Sequence, residues 1–95
     1  MRVLKYKIPE MVARFTIDMP QNSKILSFQL QDGLPVIWVL GDDSPGYQKH
    51  FTLVGTGIET GNSLSQSRFI GTIQHGFFVW HLFEDIIEEL ENAEV

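Results

Sequence analysis

Apolar and polar residues alternate with a period of two along most of this chain. In RFTIDM, Phe15, Ile17 and Met19 fall on one side, and Arg14, Thr16 and Asp18 on the other. In KILSFQLQ, Leu26, Phe28 and Leu30 oppose Ser27, Gln29 and Gln31. In YQKHFTLVG, Tyr47, Lys49, Phe51 and Leu53 oppose Gln48, His50, Thr52 and Val54. Successive strand side chains point to opposite faces, so this alternation predicts half-buried antiparallel strands. LPVIWVL is apolar on both faces, which predicts a central or doubly covered strand. Pro35 belongs at its start, because proline cannot donate to a ladder. VLKYKI, RFIGTIQ and FFVWHLF bring the strand candidates to seven.

The connections carry turn chemistry. Asp32-Gly33 lies between two strand runs and supplies the positive φ angles of a tight hairpin. His75-Gly76 separates the last two strands, and Pro9 closes the first. GDDSPG, at 41–46, is loop sequence throughout, and TGIETGNSLSQS, at 56–67, is the longest predicted loop. From Asp85 the period changes: Ile86, Ile87, Leu90 and Ala93 sit at helical spacing. Asp85 reads as an N-cap, with Glu88 as the reciprocal acid three residues on. So short a helix needs an apolar surface to lie on. The expectation is a mainly β protein. It is a small antiparallel β-sandwich or barrel of six to seven strands over residues 1–84, followed at 85–95 by a short acidic amphipathic helix or tail.

Composition narrows the class. The chain has 95 residues, 43% of them hydrophobic, enough for one globular core. The longest apolar run, 36–40, is far short of the roughly 20 residues of a spanning helix. MRVLKYKIPE alternates charged and apolar residues and has no continuous apolar block, so no signal peptide is expected. There is no cysteine, which excludes disulfides and thiolate chemistry and fits a reducing cytoplasm. The net charge of −5 is uneven: residues 1–83 sum to +1, and residues 84–95, with six acids and no base, sum to −6. No basic stripe of a general nucleic-acid binder is present.

Candidate chemistry is sparse. His75, His81 and Glu84 are potential metal ligands, but their spacing matches no established motif. A turn histidine and a hydrogen-bonded strand histidine are the plainer assignments. Asp42 and Asp43 are too few for a cation site. VGTG, at 54–57, lacks the lysine and following helix of a phosphate loop. Ser63, Ser65 and Ser67 have no nucleophile elbow around them. Neither an enzyme nor a cofactor or metal is therefore expected. Lys5 and Lys7 share a strand face, and Arg14, Lys49 and Arg68 join them if the strands are neighbours. With Tyr6 they form a candidate site for an anionic ligand such as a nucleotide. Edge-strand protection by lysine is the competing explanation. The strand FFVWHLF is apolar on both faces, and one face needs cover from outside the core. Trp38, Phe78, Trp80, Leu82, Ile86, Ile87 and Leu90 are accordingly the expected interface, with a two-fold homo-oligomer as the default.

RVLKYKIP, KILSFQLQDGLPVIWVL, VGTG and GTIQHGFFVWHLFE together resemble a family of very short proteins of tailed phages and prophages. The likeness covers residues 2–84, and the family is one of unknown function. It implies a viral accessory protein in a bacterial cytoplasm and assigns no site residues. Two functions are expected to compete. One is non-enzymatic binding of a host protein through an apolar and acidic surface. The other is sequestration of an anionic small molecule by an oligomer, a possible counter-defence.

Overall fold

A computed structural model describes residues 1–8 and 10–86. The predicted helix, apart from its first residues, lies outside them. Seven strands follow in chain order: β1 (Arg2–Lys7), β2 (Arg14–Pro20), β3 (Ser23–Gln31), β4 (Leu34–Gly41), β5 (Gly46–Gly55), β6 (Ser67–His75) and β7 (Phe78–Asp85). All pair antiparallel, in a three-stranded sheet of order β1-β4-β3 and a four-stranded sheet of order β2-β5-β7-β6. Among the described residues there is no helix.

Local chemistry explains the hairpins. Asp32 and Gly33 both have positive φ, 53° and 78°, and Gln31 faces Leu34 across them. That is the type I′ turn, whose twist matches the strands it joins. The β6–β7 turn is Gly76-Phe77, one residue later than expected, with His75 facing Phe78. Gly76 supplies the positive φ of 65° that the first central position of a type II′ turn requires.

The two sheets share one core. Phe28, Ile37 and Val39 come from the first sheet, and Met19, Phe51, Leu53, Ile73 and Leu82 from the second. Phe15 stacks on Phe51 with ring centroids 5.4 Å apart. The face assignment of β2 follows the sequence: Phe15, Ile17 and Met19 turn inward. In β3 the uniform alternation breaks. A bulge between Ile25 and Ser27 puts Ile25 and Phe28 on the core side, and Leu26 is exposed. One extra residue in a strand reverses the facing of everything before it. A second bulge, between Phe69 and Gly71, lies in β6 opposite. There the two sheets approach closely: a side chain at Gly71 would begin 3.4 Å from the Phe28 Cβ.

β4 is central in its sheet, as its apolar sequence predicts. Ile37 and Val39 face the core, while Val36 and Trp38 lie on the outer side. Val36 is nonetheless buried. Lys5 Nζ reaches across β4 from β1 to Gln31 Oε1 on β3, 2.8 Å away, and its aliphatic stem shields the strand.

The residues that Asp85 would cap lie outside the described ones. Asp85 is the last residue of β7, where its carboxylate accepts hydrogen bonds from the Thr52 hydroxyl at 3.0 Å and the Ser67 hydroxyl at 2.7 Å. Ile86 then donates its N–H to Gln66 O at 2.9 Å. The β structure therefore includes Asp85.

Candidate functional site

Both sides of β7 decide where surface remains for binding. Its core side carries Trp80, Leu82 and Glu84. Leu82 is fully buried, and Trp80 packs against the core, so Leu82 is taken up by the chain's own packing. On the other side, Val79, His81 and Phe83 are half-buried by the chain itself. Phe83 meets Phe69 of β6 edge-on at 5.5 Å. His81 Nε2 lies 2.7 Å from Thr56 Oγ1, and its Nδ1 2.8 Å from Thr72 Oγ1. Both ring nitrogens are occupied by hydroxyls, which fits the hydrogen-bonded strand histidine. Among the described residues no group of side chains has the makeup of a metal site.

What stays uncovered is the tip. Phe77 is 100% exposed in the two-residue turn, and Phe78 beside it is 64% exposed. The Phe78 ring lies 5.9 Å from the Trp80 ring, and Ile58, also exposed, lies next to Trp80 near Gly55. The hairpin ladder fixes this aromatic end, because His75↔Phe78 and Gln74↔Val79 pair directly behind it. Sequence reasoning placed Phe77 inside a strand. Its separate status comes from the turn, which the Gly76 in the sequence marks. Of the other expected interface residues, Trp38 is half-buried on the outer side of the first sheet and Ile86 is half-buried after β7. Ile87 and Leu90 lie outside the described residues.

The six residues expected to hold an anion are divided among three places. Lys5 and Lys7 face outward on β1, and Tyr6 faces the core. Arg14 is on the outer side of β2. It lines a polar cleft of about 270 Å³ with Ser63, Ser65, Ser67 and Asp85. It also lines an adjoining cleft of about 410 Å³ walled by Met11, Leu53, Ile58 and Trp80. Lys49 and Arg68 do come together. With Lys24, which sequence reasoning left out, they line a cleft of about 250 Å³ between the two sheets, beside Ser23, Ile25, Ile70 and Glu84.

Glu84 is the one acid among the described residues that line that cleft, and its side chain is only 6% exposed. Its Oε2 is 3.4 Å from Lys49 Nζ, whose side chain is 13% exposed. Lys49 Nζ also lies 5.5 Å from the centre of the Tyr47 ring. A carboxylate placed on the core side of a strand is strongly penalised unless paired, and Lys49 on the neighbouring strand supplies the partner. Arg68 sits directly opposite Glu84 in the β6–β7 ladder. Neither Arg68 nor Lys24 makes a side-chain hydrogen bond or ion pair among the described residues.

The Asp42 and Asp43 loop is internally satisfied. Asp42 Oδ1 accepts the Ser44 N–H at 2.9 Å, and its Oδ2 accepts from Asn22 Nδ2 at 3.1 Å. The Ser44 hydroxyl and N–H, followed by the Asn22 amide, hold the Asp42 carboxyl below its ordinary value. Asp43 pairs with Arg2.

No described helix is long and apolar enough to cross a membrane. No curated protein and no solved structure matches the chain at a significant level. A family model described as a domain of unknown function, DUF7352, matches residues 1–93, and the chain belongs to that family.

Proposed function

We propose that this domain is a non-enzymatic binding module, with its sheets stacked as a sandwich, that docks a partner protein on the aromatic tip of the β6–β7 hairpin. The observation that carries the proposal is Phe77, wholly exposed on a short turn and flanked by the exposed Phe78. The fold buries nothing of the Phe77 ring and leaves most of Phe78 open, and burial against a partner gains about 1.5–3 kcal/mol for each. Aromatic anchors on a rigid support are what concentrates binding energy at interfaces. The first two acids of the C-terminal segment are engaged within the domain, Glu84 against Lys49 and Asp85 by Thr52 and Ser67. The contact is therefore apolar at its centre. The resemblance to tailed-phage proteins supports a partner in the bacterial cytoplasm. A second copy of the chain is the other occupant that the tip would fit.

The test uses Phe77→Ser and the double variant Phe77→Ser/Phe78→Ser. Exposed substitutions of this kind leave stability within about 0.5 kcal/mol, so both variants keep the native melting behaviour. The native protein is expected to retain a specific protein from bacterial lysate that the double variant does not, with both monomeric by sedimentation. Retention of the same proteins by the double variant overturns the proposal. So does a native dimer that the double variant fails to form, since the tip would then serve self-association.

A further inference from the structure

We infer that the cleft between the sheets lined by Lys24, Lys49 and Arg68 is a binding site for a phosphoryl group, separate from the hairpin tip. The cleft gathers three cations from three strands, β3, β5 and β6, around a single acid. Glu84 is engaged with Lys49 at 3.4 Å, which leaves a net charge of two positive units among the described residues that line the cleft. A phosphate monoester carries about −1.5 to −2 at neutral pH, which matches that charge, whereas a carboxylate carries half of it.

Edge protection does not account for the arrangement. β3 and β6 are edge strands, and a charge of either sign on each would block edge-to-edge pairing. It requires neither that both charges be cations lining the same cleft nor that Lys49, on the interior strand β5, line it with them. Like charges lining one cleft repel one another. An anion bridging Lys24 on one sheet with Arg68 and Lys49 on the other removes that repulsion and ties the sheets together.

The donors suit a phosphoryl group. Arg68 offers a planar fork for two phosphate oxygens, and Lys24 and Lys49 add mobile ammonium donors. Glu84 holds Lys49 in the cleft through the 3.4 Å contact between Oε2 and Nζ. The cleft, at about 250 Å³, is smaller than the roughly 300–1,000 Å³ that whole drug-sized ligands fill. It therefore takes the phosphoryl head of a ligand, and any organic remainder lies outside.

The site is tested by titrating the full chain with inorganic pyrophosphate and with ATP at constant ionic strength, chloride making up the balance. Melting temperature and backbone amide NMR shifts are the readouts. Pyrophosphate is expected to raise the melting temperature saturably and to shift the amides of Lys24, Lys49, Arg68 and Ile70. Equal affinity for ATP assigns recognition to the phosphoryl groups alone, and tighter ATP binding adds contacts outside the cleft. Arg68→Gln and Lys24→Gln are each expected to weaken binding about tenfold, the loss of one charge-assisted contact. Both side chains are exposed and make no hydrogen bond or ion pair among the described residues, so these variants fold. Lys7→Gln, on the outer side of β1, is the control and leaves binding unchanged. The inference is overturned if chloride alone reproduces the stabilisation, if Lys7→Gln weakens binding as much as Arg68→Gln, or if the shifts map elsewhere.

Discussion

Single residues in this domain show how a polar group on an apolar pattern becomes structural. Glu84 occupies the core side of β7, in line with Leu82 and Trp80, and is tolerated there because Lys49 meets it across the sheet. Removing either partner alone would leave the other charge buried, which is far costlier than losing an exposed pair. Asp42 is the opposite case, a carboxylate at the surface held by local donors. Its carboxyl sits below the ordinary value because of the Ser44 hydroxyl first, then the Ser44 N–H and Asn22. A carboxyl lowered on folding stabilises the native state at pH above its unfolded value, and that contribution is lost as pH falls through the lowered folded value. The loop tie between Asn22 and Asp42 is therefore intact at neutral pH and weakens only in acid. Ser44→Ala is expected to move Asp42 back toward its ordinary value, read by NMR titration of the carboxyl carbon. An unchanged Asp42 titration in the variant would show that the serine hydroxyl is not the main cause. Neither Glu84 nor Asp42 could be assigned from the chain alone. The sequence shows an acid after an aromatic strand and a pair of acids in a turn, but not the partner 35 residues from one or 20 from the other.

Strands and turns were the most legible level. The period-two runs, Asp32-Gly33 and the two-faced apolar strand all correspond to observed elements, because each is set by residues close in sequence. The bulges were not legible. ILSFQLQ alternates acceptably in either phase, and only its pairing with β4 decides that Ile25 and Phe28 turn inward. The last turn was misplaced by one residue for a similar reason, since Phe77 reads as naturally into the strand as out of it. That turn makes the element-scale prediction. Gly76→Ala forces a side chain into the left-handed region, at φ 65°, for about 1–2 kcal/mol. In a domain of this size the loss lowers the melting temperature by roughly 4–16 °C. Gly46→Ala provides the comparison, because that glycine has an ordinary φ and open space around it. Equal losses in the two variants would mean that backbone conformation at Gly76 is not what sets the hairpin.

At the scale of the whole molecule, long-range topology creates features that no segment contains. Lys24, Lys49 and Arg68 are far apart in sequence and meet only because β3 and β6 are neighbouring edges of two different sheets. The same closure takes in the first acids of the C-terminal segment. Glu84 pairs with Lys49, Asp85 accepts from Thr52 and Ser67, and Ile86 is tied to Gln66. A chain stopped after Phe83 would strand Lys49 without Glu84 and leave the Thr52 and Ser67 hydroxyls without Asp85. A chain stopped after Ile86 keeps all of these contacts. Loss of the buried pair's acid alone is worth about 3–5 kcal/mol, a large share of the 5–15 kcal/mol typical of a domain. The shorter chain is therefore expected to unfold at much lower denaturant than the one ending at Ile86, both followed by tryptophan fluorescence. If the two unfold together, the last strand closes at Phe83. The contacts of Glu84 and Asp85 would then be consequences of the fold, with no part in holding it.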